Sequence, residues 1–496
     1  MKLNAVYMKL WIWWLTLYVL LSCSTPEQHR EKVAKQSCSG CHLFPEPSLL
    51  PRSTWTKDVL PNMAFRMGLT DLMDGLDYFP QQDLLTVVST LPKNRMVDEE
   101  TWATLVEYYT QSSPDSILNE PRPTLDVLHD FELIPFQVPD ADPLVTLVRI
   151  NPAKKEITYG TRHADLITLS RNLKVIDQQK LSSPPSWLVH EDSLLLLSVM
   201  GIMDPNDQPK GKIQLRSDST WLPLIDSLKR PVHFEVADLT GNGQKEFIVS
   251  SFGNFTGDLS IYEDLGNRTY KRHILSTLPG NRLTLVQDFN HDQRPDILTL
   301  ITQGDEQITL FINRGDFEFE AKTLLRFPPV YGSSYFELQD FNNDGLLDIL
   351  YANGDNSDYS QILKPYHGVR IFLQTRDMQF TESWFAPMHG ASKALARDFD
   401  SDGDLDIAAI AFFPDFQNQP EGSFIYFENQ DSQFVPKTIP GNLGRWIVMD
   451  AADWDGDSDI DLVLGALNFT TQVPPALASQ WKTNPVTLLI LSNNKR

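Results

Sequence analysis

The sequence predicts a multidomain protein in which a small all-α domain precedes an all-β propeller of seven blades. Helical periodicity is confined to residues before about 116, and short strand patterns bounded by Gly, Asn and Asp follow it. One aspartate-rich frame recurs five times in the second part, at intervals typical of propeller blades. With 496 residues the chain is too long for one ordinary domain, and 41% hydrophobic with 22% charged residues is typical of folded soluble domains.

The N-terminus carries the pattern of an export signal. Leu10 to Ser22 is an uncharged, mainly apolar run of 13 residues, too short to span a bilayer as a helix. The run ends in Leu20-Leu21-Ser22-Cys23, which resembles the lipobox of bacterial lipoproteins. The resemblance implies a signal peptide over 1–22, lipidation of Cys23, a tether over 23–30, and anchoring to the cell envelope (outer membrane or periplasmic face) of a Gram-negative bacterium. The alternative is an ordinary cleaved signal peptide with Cys23 incidental, and both interpretations predict export.

The pentad Cys38-Ser39-Gly40-Cys41-His42 is the attachment pattern of a c-type haem. Two thiols separated by two residues on a tight turn reach the two vinyl groups on one edge of the porphyrin. The next residue, His42, then lies under the ring and can donate a neutral nitrogen to the iron as the proximal ligand. We therefore predict covalent haem held by Cys38, Cys41 and His42. The alternative in an oxidising compartment is a structural disulfide between the two cysteines.

Helical patterns surround this pentad. Helices are predicted over Glu27 to Gln36, Arg52 to Leu69 and Gln81 to Leu91, and a fourth follows an N-cap at Asp98. The stretch from Trp102 to Tyr109 resembles the C-terminal helix of small cytochromes c, which packs across the haem-bearing helix. The block from Cys38 to Tyr109 also resembles cytochrome-like modules that precede propeller repeats in exported bacterial proteins. These resemblances imply a cytochrome c-like haem domain over 31–116, followed by a linker over 117–130.

The sixth iron ligand is a choice among methionines. In the cytochrome-like modules a Trp is followed by Val-Leu-Pro-x-Met, here Trp55 and Val59-Leu60-Pro61-Asn62-Met63. The resemblance favours Met63, and thioether coordination suits electron transfer because it raises the reduction potential. Met67, Met96 and an open sixth position remain alternatives, and core filling is the ordinary role of any one methionine.

Five loops share the frame D-x-[DNT]-x-[DN]-x-x-x-[DE] and begin 50, 52, 58 and 55 residues apart. Their polar residues are Asp238, Thr240, Asn242 and Glu246; Asp288, Asn290, Asp292 and Asp296; Asp340, Asn342, Asp344 and Asp348; Asp398, Asp400, Asp402 and Asp406; and Asp453, Asp455, Asp457 and Asp461. We call these the aspartate loops.

Oxygens at alternate positions of a tight loop converge on one point, and their carboxylates repel one another unless a hard cation holds them. Calcium is the natural cation outside the cell, so we predict calcium at all five aspartate loops. An EF-hand is excluded because its twelfth position needs a bidentate Glu. The residues at that position are Val249, Thr299, Tyr351, Ala409 and Leu464. The alternative is that the loops are turns held only by bonds from side chains to the backbone.

Each repeat is predicted to contain four strands, which is the number that forms one propeller blade. Two units without aspartate loops, 140–182 and 185–228, precede the five, which gives seven blades and a propeller over 131–496. The last unit ends at its third strand, Val486 to Leu491, and the isolated strand Phe131 to Val138 is predicted to complete it and close the ring. The pattern resembles the FG-GAP/VCBS repeats of integrin α-chains and bacterial exported proteins, with Phe252-Gly253 matching the name-giving pair.

Strand alternation places the aspartate loops on one face of the propeller and the loops between second and third strands on the other. The longest of the latter are 354–368, 412–422 and 468–485. They carry the aromatic and histidine side chains Tyr359, Tyr366, His367, Phe412, Phe413, Phe416 and Trp481. We predict a redox partner protein or a surface ligand on this long-loop face, with aromatic packing within the loops as the alternative.

Three functions are compatible with these motifs. The favoured one is a membrane-anchored c-type cytochrome for electron transfer, whose propeller docks a partner. A haem-dependent oxidoreductase whose propeller binds the substrate is the alternative, and a purely adhesive protein is third because it leaves the haem unexplained. No motif assigns a catalytic residue. The net charge of −23 argues against a nucleic acid partner.

Overall fold

The computed structural model describes residues 25–69, 83–118, 124–139, 141–191, 194–357 and 361–494. They form two compact units, one with described residues 25–69 and 91–117, the other with 83–90 and the residues from 118 onward. The predicted signal peptide and Cys23 lie outside the described residues. Among the helices that the structure describes, none is both long and apolar enough to cross a membrane.

The helices occur mainly in the first unit. They are α1 (Pro26–Cys38), α2 (Arg52–Thr54), α3 (Leu60–Arg66), α4 (Leu84–Thr90), α5 (Glu99–Ser112) and α6 (Pro475–Thr483). A π-helical turn, Trp55–Val59, joins α2 to α3, and 3-10 turns occur at Pro47–Leu49 and Pro420–Ser423.

Helix α1 begins earlier than the tether predicted over 23–30 allows. The Thr25 hydroxyl accepts the N–H of Gln28 at 3.2 Å, and the Gln28 side chain accepts the N–H of Thr25 at 3.0 Å. This capping box and Pro26 at the first helical position start the helix immediately after Thr25. The helix predicted over Glu27 to Gln36 is therefore confirmed, and it begins at Pro26, within the span predicted as a tether.

An aromatic core holds the first unit together. The rings of Trp55 and Tyr109 lie 4.4 Å apart between centroids, and both side chains are fully buried. Their polar atoms donate to backbone carbonyls, Trp55 to Pro47 at 2.9 Å and Tyr109 to Pro45 at 2.9 Å. Helix α5 is capped by Asp98, which accepts the N–H of Thr101, and it packs against α1. The helix predicted to follow Asp98 is confirmed.

Helix α4 groups with the second unit and not with the first, where the sequence interpretation placed it. Val87 is its buried residue, and the carboxyl group of Asp83 is buried beside Asp207 in the second unit. Apolar residues at helical spacing in so short a helix show that one face is buried. They do not show which of the two units buries it.

The second unit is a seven-bladed propeller of four-stranded antiparallel sheets. Blade 1 contains β3 (Val145–Asn151), β4 (Glu156–Thr161), β5 (Asp165–Leu169) and β6 (Val175–Lys180). Blade 2 contains β7 (Pro185–Glu191), β8 (Leu194–Val199), β9 (Gly211–Ser217) and β10 (Thr220–Leu228). Blade 3 contains β11 (Pro231–Ala237), β12 (Glu246–Ser251), β13 (Asp258–Asp264) and β14 (Tyr270–Ser276). Blade 4 contains β15 (Asn281–Gln287), β16 (Asp296–Ile301), β17 (Gln307–Gly315) and β18 (Glu318–Arg326).

The remaining blades include two short strands from the start of the unit. Blade 5 contains β19 (Ser333–Gln339), β20 (Asp348–Asn353), β21 (Gly368–Gln374) and β22 (Phe380–Pro387). Blade 6 contains β23 (Ala391–Arg397), β24 (Asp406–Ala411), β25 (Phe424–Gln430) and β26 (Gln433–Thr438), with β1 (Asp126–Val127) added at its edge. Blade 7 contains β27 (Trp446–Ala452), β28 (Asp461–Ala466), β29 (Leu488–Asn493) and β2 (Phe131–Phe136).

The first strands of the blades surround a central channel. Each of β3, β7, β11, β15, β19, β23 and β27 contacts the first strand of the next blade, and β27 contacts β3. In blades 4 to 7 the second strand is enclosed more fully than the first. These second strands, β16, β20, β24 and β28, are buried along their whole length. Burial between two neighbouring blades explains why these strands read as unbroken apolar runs.

Blade 7 is completed as the sequence predicts. Strand β2 pairs antiparallel with β29, from Phe131 opposite Asn493 to Phe136 opposite Leu488. The linker predicted over 117–130 is shorter than expected, because Leu125 and Leu128 are buried and β1 between them pairs in parallel with β26.

Candidate functional site

The cysteine pentad lies at the C-terminal end of α1. The helix ends at Cys38, and the turn that follows brings Cys41 to the surface. Both thiols are free and no disulfide joins them. A Cβ atom at Gly40 would meet nothing within 4 Å, so the outer side of this turn is open. A free thiol at the helix end, Cys38, and a second on the open turn that follows, Cys41, are compatible with attachment to a porphyrin edge.

His42 has a hydrogen bond that suits an iron ligand. Its Nδ1 lies 3.0 Å from the carbonyl oxygen of Leu43. When Nδ1 carries the proton and donates to this carbonyl, the lone pair of Nε2 is left for a metal, which is the usual arrangement at metal-binding histidines. The donor set of the pentad therefore fits a c-type haem.

The two cysteines differ in environment. Burial raises the pKa of Cys38 to about 11, and its thiol hydrogen-bonds the hydroxyl of Tyr109. The Cys38 thiol is therefore protonated at neutral pH and lies against the aromatic core. Cys41 is exposed.

Met63 and Met67 are both half-buried, whereas Met96 is exposed. Met63 lies within α3 and is half-buried. Met67 follows the end of α3, and its carbonyl accepts the N–H of Met96 at 3.0 Å. Met96 is 52% exposed, which makes it the least suited of the three to an enclosed iron.

The first aspartate of each aspartate loop folds the loop around its own carboxylate. Asp288 accepts the N–H groups of Asp292 and Gln293 at 3.1 and 2.8 Å, and Asp340 accepts those of Asp344 and Gly345 at 3.1 and 2.8 Å. The same pattern recurs at Asp238, Asp398 and Asp453. Backbone donors therefore order these loops before any ion is considered.

In three of the aspartate loops the last carboxylate fastens the loop to its own blade. In blade 5, Asp348 is fully buried and accepts the N–H of Phe341 at 2.9 Å and that of Gln374, at the end of β21, at 2.8 Å. Asp296 and Asp461 make the equivalent pair of bonds. The sequence interpretation treated this position only as a calcium ligand and missed its bonds to the backbone.

These fastenings also join neighbouring blades. Asn313, at the end of β17, donates its side-chain N–H to the carbonyl of Leu239 in the preceding aspartate loop at 2.8 Å. Asn493 does the same to Phe399 at 2.6 Å. On the aspartate face, these bonds join blade 3 to blade 4 and blade 6 to blade 7.

Two aspartate loops bring three acidic side chains together. Carboxylate oxygens of Asp398, Asp400 and Asp402 lie within 4.8 Å of one another, as do those of Asp453, Asp455 and Asp461. Among the described residues, these are the groups of three acidic, histidine or cysteine ligands that could hold a metal. The loops at Asp238, Asp288 and Asp340 have Thr or Asn at the third position, so fewer acids converge there.

Two further acids lie in these loops and were missed. Asp404 and Asp459 occupy the seventh position, so each loop carries acids at five alternate residues. Burial and the neighbouring carboxylates raise the pKa of Asp404 to about 6, and they also raise the pKa of Asp459. The alternating pattern is visible in the sequence and was passed over because the other three loops lack it.

The long-loop face is packed more tightly than a free binding surface. His367, Phe416 and Trp481 are buried, and the rings of Phe416 and Trp481 lie 5.7 Å apart. Helix α6, within the third of these loops, carries Trp481. Tyr359 lies outside the described residues. Packing within the loops therefore accounts for these three side chains, while Phe412 and Phe413 remain partly exposed.

A family model of FG-GAP-like repeats matches residues 288–351, 340–409 and 398–464. Each match begins at the first aspartate of a loop, and together they include the last four aspartate loops. The chain thus contains FG-GAP-like repeats within its seven-bladed propeller. The loop at Asp238 lies outside the matched residues.

Several solved propeller structures are similar to this chain. The N-terminal domain of Nup159 is 10% identical, with 74% of this chain and 97% of that chain covered and a TM-score of 0.44. For the Cps50 (Swd1) propeller of Myceliophteria thermophila these values are 11%, 71%, 98% and 0.45. For the Pan2 WD40 domain of Neurospora crassa they are 12%, 75%, 98% and 0.45. No curated protein sequence matches the chain.

Proposed function

We propose that this protein is an exported, lipid-anchored c-type cytochrome for electron transfer, with a calcium-stabilised propeller that docks a partner. The observation that carries the proposal is the cysteine pentad at the end of α1, with two free thiols and a histidine whose Nδ1 faces a carbonyl oxygen. A disulfide would have left the histidine without a role.

Different residues of the first unit would attach the haem, bind its iron and support the pentad. The thiols of Cys38 and Cys41 would form the two thioether bonds, and Nε2 of His42 would bind the iron. Bound haem would supply a one-electron couple. Helix α5 packs on α1 and supports the pentad from behind, with Arg30 of α1 lying 3.3 Å from Glu107 of α5. Met63 is the sixth ligand in this proposal, since it is on a helix and half-buried.

The test is expression of the full chain with and without a cytochrome c maturation system. The mature protein is expected to stain for haem after denaturation and to show c-type absorption bands. Replacing both Cys38 and Cys41 by Ala should abolish the stain, while Cys23→Ser should keep it and release the protein from the membrane fraction. Haem staining of the double variant at the level of the unaltered protein would reject covalent attachment.

The sixth ligand is tested separately by spectroscopy of the ferric protein. Met63→Ala should remove the charge-transfer band of methionine coordination, and Met67→Ala, a matched change four residues further on, should keep it. The opposite pattern would assign the ligand to Met67.

The proposal includes calcium because several carboxylates lie close together in the aspartate loops and repel one another unless a cation is bound. The loops at Asp398 and Asp453 are the strongest candidates, since three carboxylate oxygens already converge in each. The docking surface is placed on the opposite face, where Phe412 and Phe413 are partly exposed.

A further inference from the structure

One backbone position has the same role in all seven blades. The residue before each first strand uses its carbonyl to accept an N–H from the end of the second strand in the same blade. The acceptor and donor pairs are Leu144 and Arg162, Pro184 and Met200, Arg230 and Phe252, Gly280 and Thr302, Gly332 and Gly354, Gly390 and Phe412, and Arg445 and Leu467. We call this the entry position.

Blade 3 has an unusual residue at the entry position. Gly280, Gly332 and Gly390 have φ angles of +82°, +69° and +70° there, and a Cβ atom on any of them would lie within 2.6 Å of a neighbouring loop. Arg230 adopts the same left-handed backbone with φ at +50°. Glycine is the natural choice for this conformation, so the arginine keeps local strain where glycine would remove it.

Arg230 lies directly before β11, one of the first strands that surround the channel. Its guanidinium stacks on the ring of Phe252 at 4.9 Å, and one N–H lies 3.4 Å from the carbonyl of Gly253. The charged groups that act on it electrostatically are Arg282 of blade 4, Asp204 and Asp207 of blade 2, and Asp355 of blade 5. Arg230 directly precedes the first strand of blade 3 and Arg282 lies near the start of the first strand of blade 4, so both lie at the channel mouth opposite the aspartate loops.

Arg230 and Arg282 have no counter-ion among the described residues. Neither takes part in an ion pair within 4.0 Å, and the Nε of Arg230 has no hydrogen-bond acceptor. Burial and the charge of Arg282 lower the pKa of Arg230 to about 10, and burial also lowers the pKa of Arg282. Two cations so placed are costly to keep without an anion.

The nearby carboxylates are already engaged elsewhere. Asp204 pairs with Arg162 at 2.6 Å. Asp207 accepts the N–H groups of Asn254, Phe255 and Thr256 at 3.0, 3.0 and 2.9 Å. Asp355 accepts both the N–H and the hydroxyl of Ser357. These three carboxylates reduce the positive potential at Arg230 but do not accept hydrogen bonds from its guanidinium.

Arg445 provides a contrast at the same entry position in blade 7. Its guanidinium donates to the carbonyls of Phe412, Phe469 and Thr471 at 2.7, 3.0 and 3.2 Å. Those bonds hold the long loops together, which is a structural role. Arg230 has one long bond of this kind, and its guanidinium makes no other hydrogen bond within the part of the chain that the structure describes.

We propose that Arg230 and Arg282 form an anion-binding site at the channel mouth, which takes the carboxylate or phosphate group of a small molecule. A guanidinium offers a planar pair of N–H donors that matches either oxyanion, and two of them suit a dianion. The site requires neither haem nor calcium, so it stands or falls independently of the proposed function.

The test is isothermal titration of the full chain with inorganic phosphate and, separately, with malonate, in a low-chloride buffer. Saturable binding of phosphate alone would assign a phosphate group, and binding of malonate alone a carboxylate. Arg230→Gly and Arg282→Gln are each expected to weaken binding at least tenfold. Arg376→Gln, which removes an exposed arginine from a loop on the aspartate face, should leave it unchanged.

The glycine variant separates a binding role from a structural one. Because glycine relaxes the left-handed backbone, Arg230→Gly without anion should melt at the same temperature as the unaltered protein or higher. A lower melting temperature would show that the arginine serves packing, and failure of the unaltered protein to bind either anion would overturn the proposal. Arg230→Asn, which tolerates the same backbone, repeats the binding test with a side chain at this position.

Discussion

Blades 1 and 2 differ from blades 3 to 7 in how the first strand joins the second. In blade 1 the residues from Pro152 to Lys155 form a tight turn, and in blade 2 only two residues separate β7 from β8. Blades 3 to 7 use the longer aspartate loops, each folded around its first carboxylate, and in blades 4, 5 and 7 the last carboxylate also bonds both the loop and the third strand. The contrast shows that a propeller blade needs no acids here, so the five charged loops have a purpose beyond closing a hairpin.

Of the tests of this contrast, removal of calcium is expected to change the stability of the propeller most. At a calcium concentration 100 times its dissociation constant, each ion bound only to the native state contributes about 2.7 kcal/mol. Chelation should therefore lower the melting temperature of the propeller by several degrees in calorimetry. The haem bands and their reduction should not change, since no aspartate loop lies in the first unit. Identical propeller melting curves with and without chelator would mean that the loops are only turns.

A second test compares the first residue of the second strand in a blade with an aspartate loop and in a blade without one. Asp348→Ala leaves two partly buried N–H donors, those of Phe341 and Gln374, without their acceptor. Each lost acceptor costs about 1–3 kcal/mol, so the variant should lose about 2–6 kcal/mol of stability even in chelator.

The matched control is Glu156→Ala at the equivalent position of blade 1. Its side chain is half-buried and makes no such bonds among the described residues, so the expected change is within about 0.5 kcal/mol. Denaturant unfolding of both variants measures the difference, and equal losses would contradict the fastening role of the last carboxylate.

The smallest effect concerns a lysine of blade 1 that reaches the aspartate loop of blade 7. The ammonium of Lys155 donates to the carbonyl of Asp455 at 3.0 Å, and its charge would oppose a cation bound in that loop. Lys155→Met should strengthen calcium binding by about 0.5 kcal/mol, roughly twofold. The calcium concentration needed to raise the melting temperature should fall accordingly. Lys154→Met, an exposed neighbour, should leave it unchanged, and a similar shift in both variants would rule out a local effect.

The repeats of the propeller could be predicted because their signals are local. An aspartate loop followed by an apolar run such as Ile297 to Leu300 is a self-contained signature, and the missing strand of blade 7 could be inferred by counting. The helix that follows Asp98 was equally local, since its cap and its apolar period lie within one segment.

Features that depend on distant partners escaped prediction. Helix α4 has an apolar face, yet its neighbours in the chain belong to the first unit and its packing to the second. Strand β1 has two residues and is defined only by its pairing with β26. The strain at Arg230 is also invisible in the sequence, since it becomes evident only when the seven entry positions are compared in three dimensions.

The pairing of β2 with β29 has a consequence for synthesis of the chain. Strand β2 leaves the ribosome before any complete blade, yet its partner is the last strand of the propeller to appear. Until then β2 and the unfinished blade 7 both expose unpaired backbone, the kind of edge that invites aggregation. The late, long-range closure adds a slow step to folding. A chain that stalls before Leu488 should therefore expose these edges to chaperones and proteases, so the pairing of β2 with β29 checks that every blade of the propeller has been synthesised.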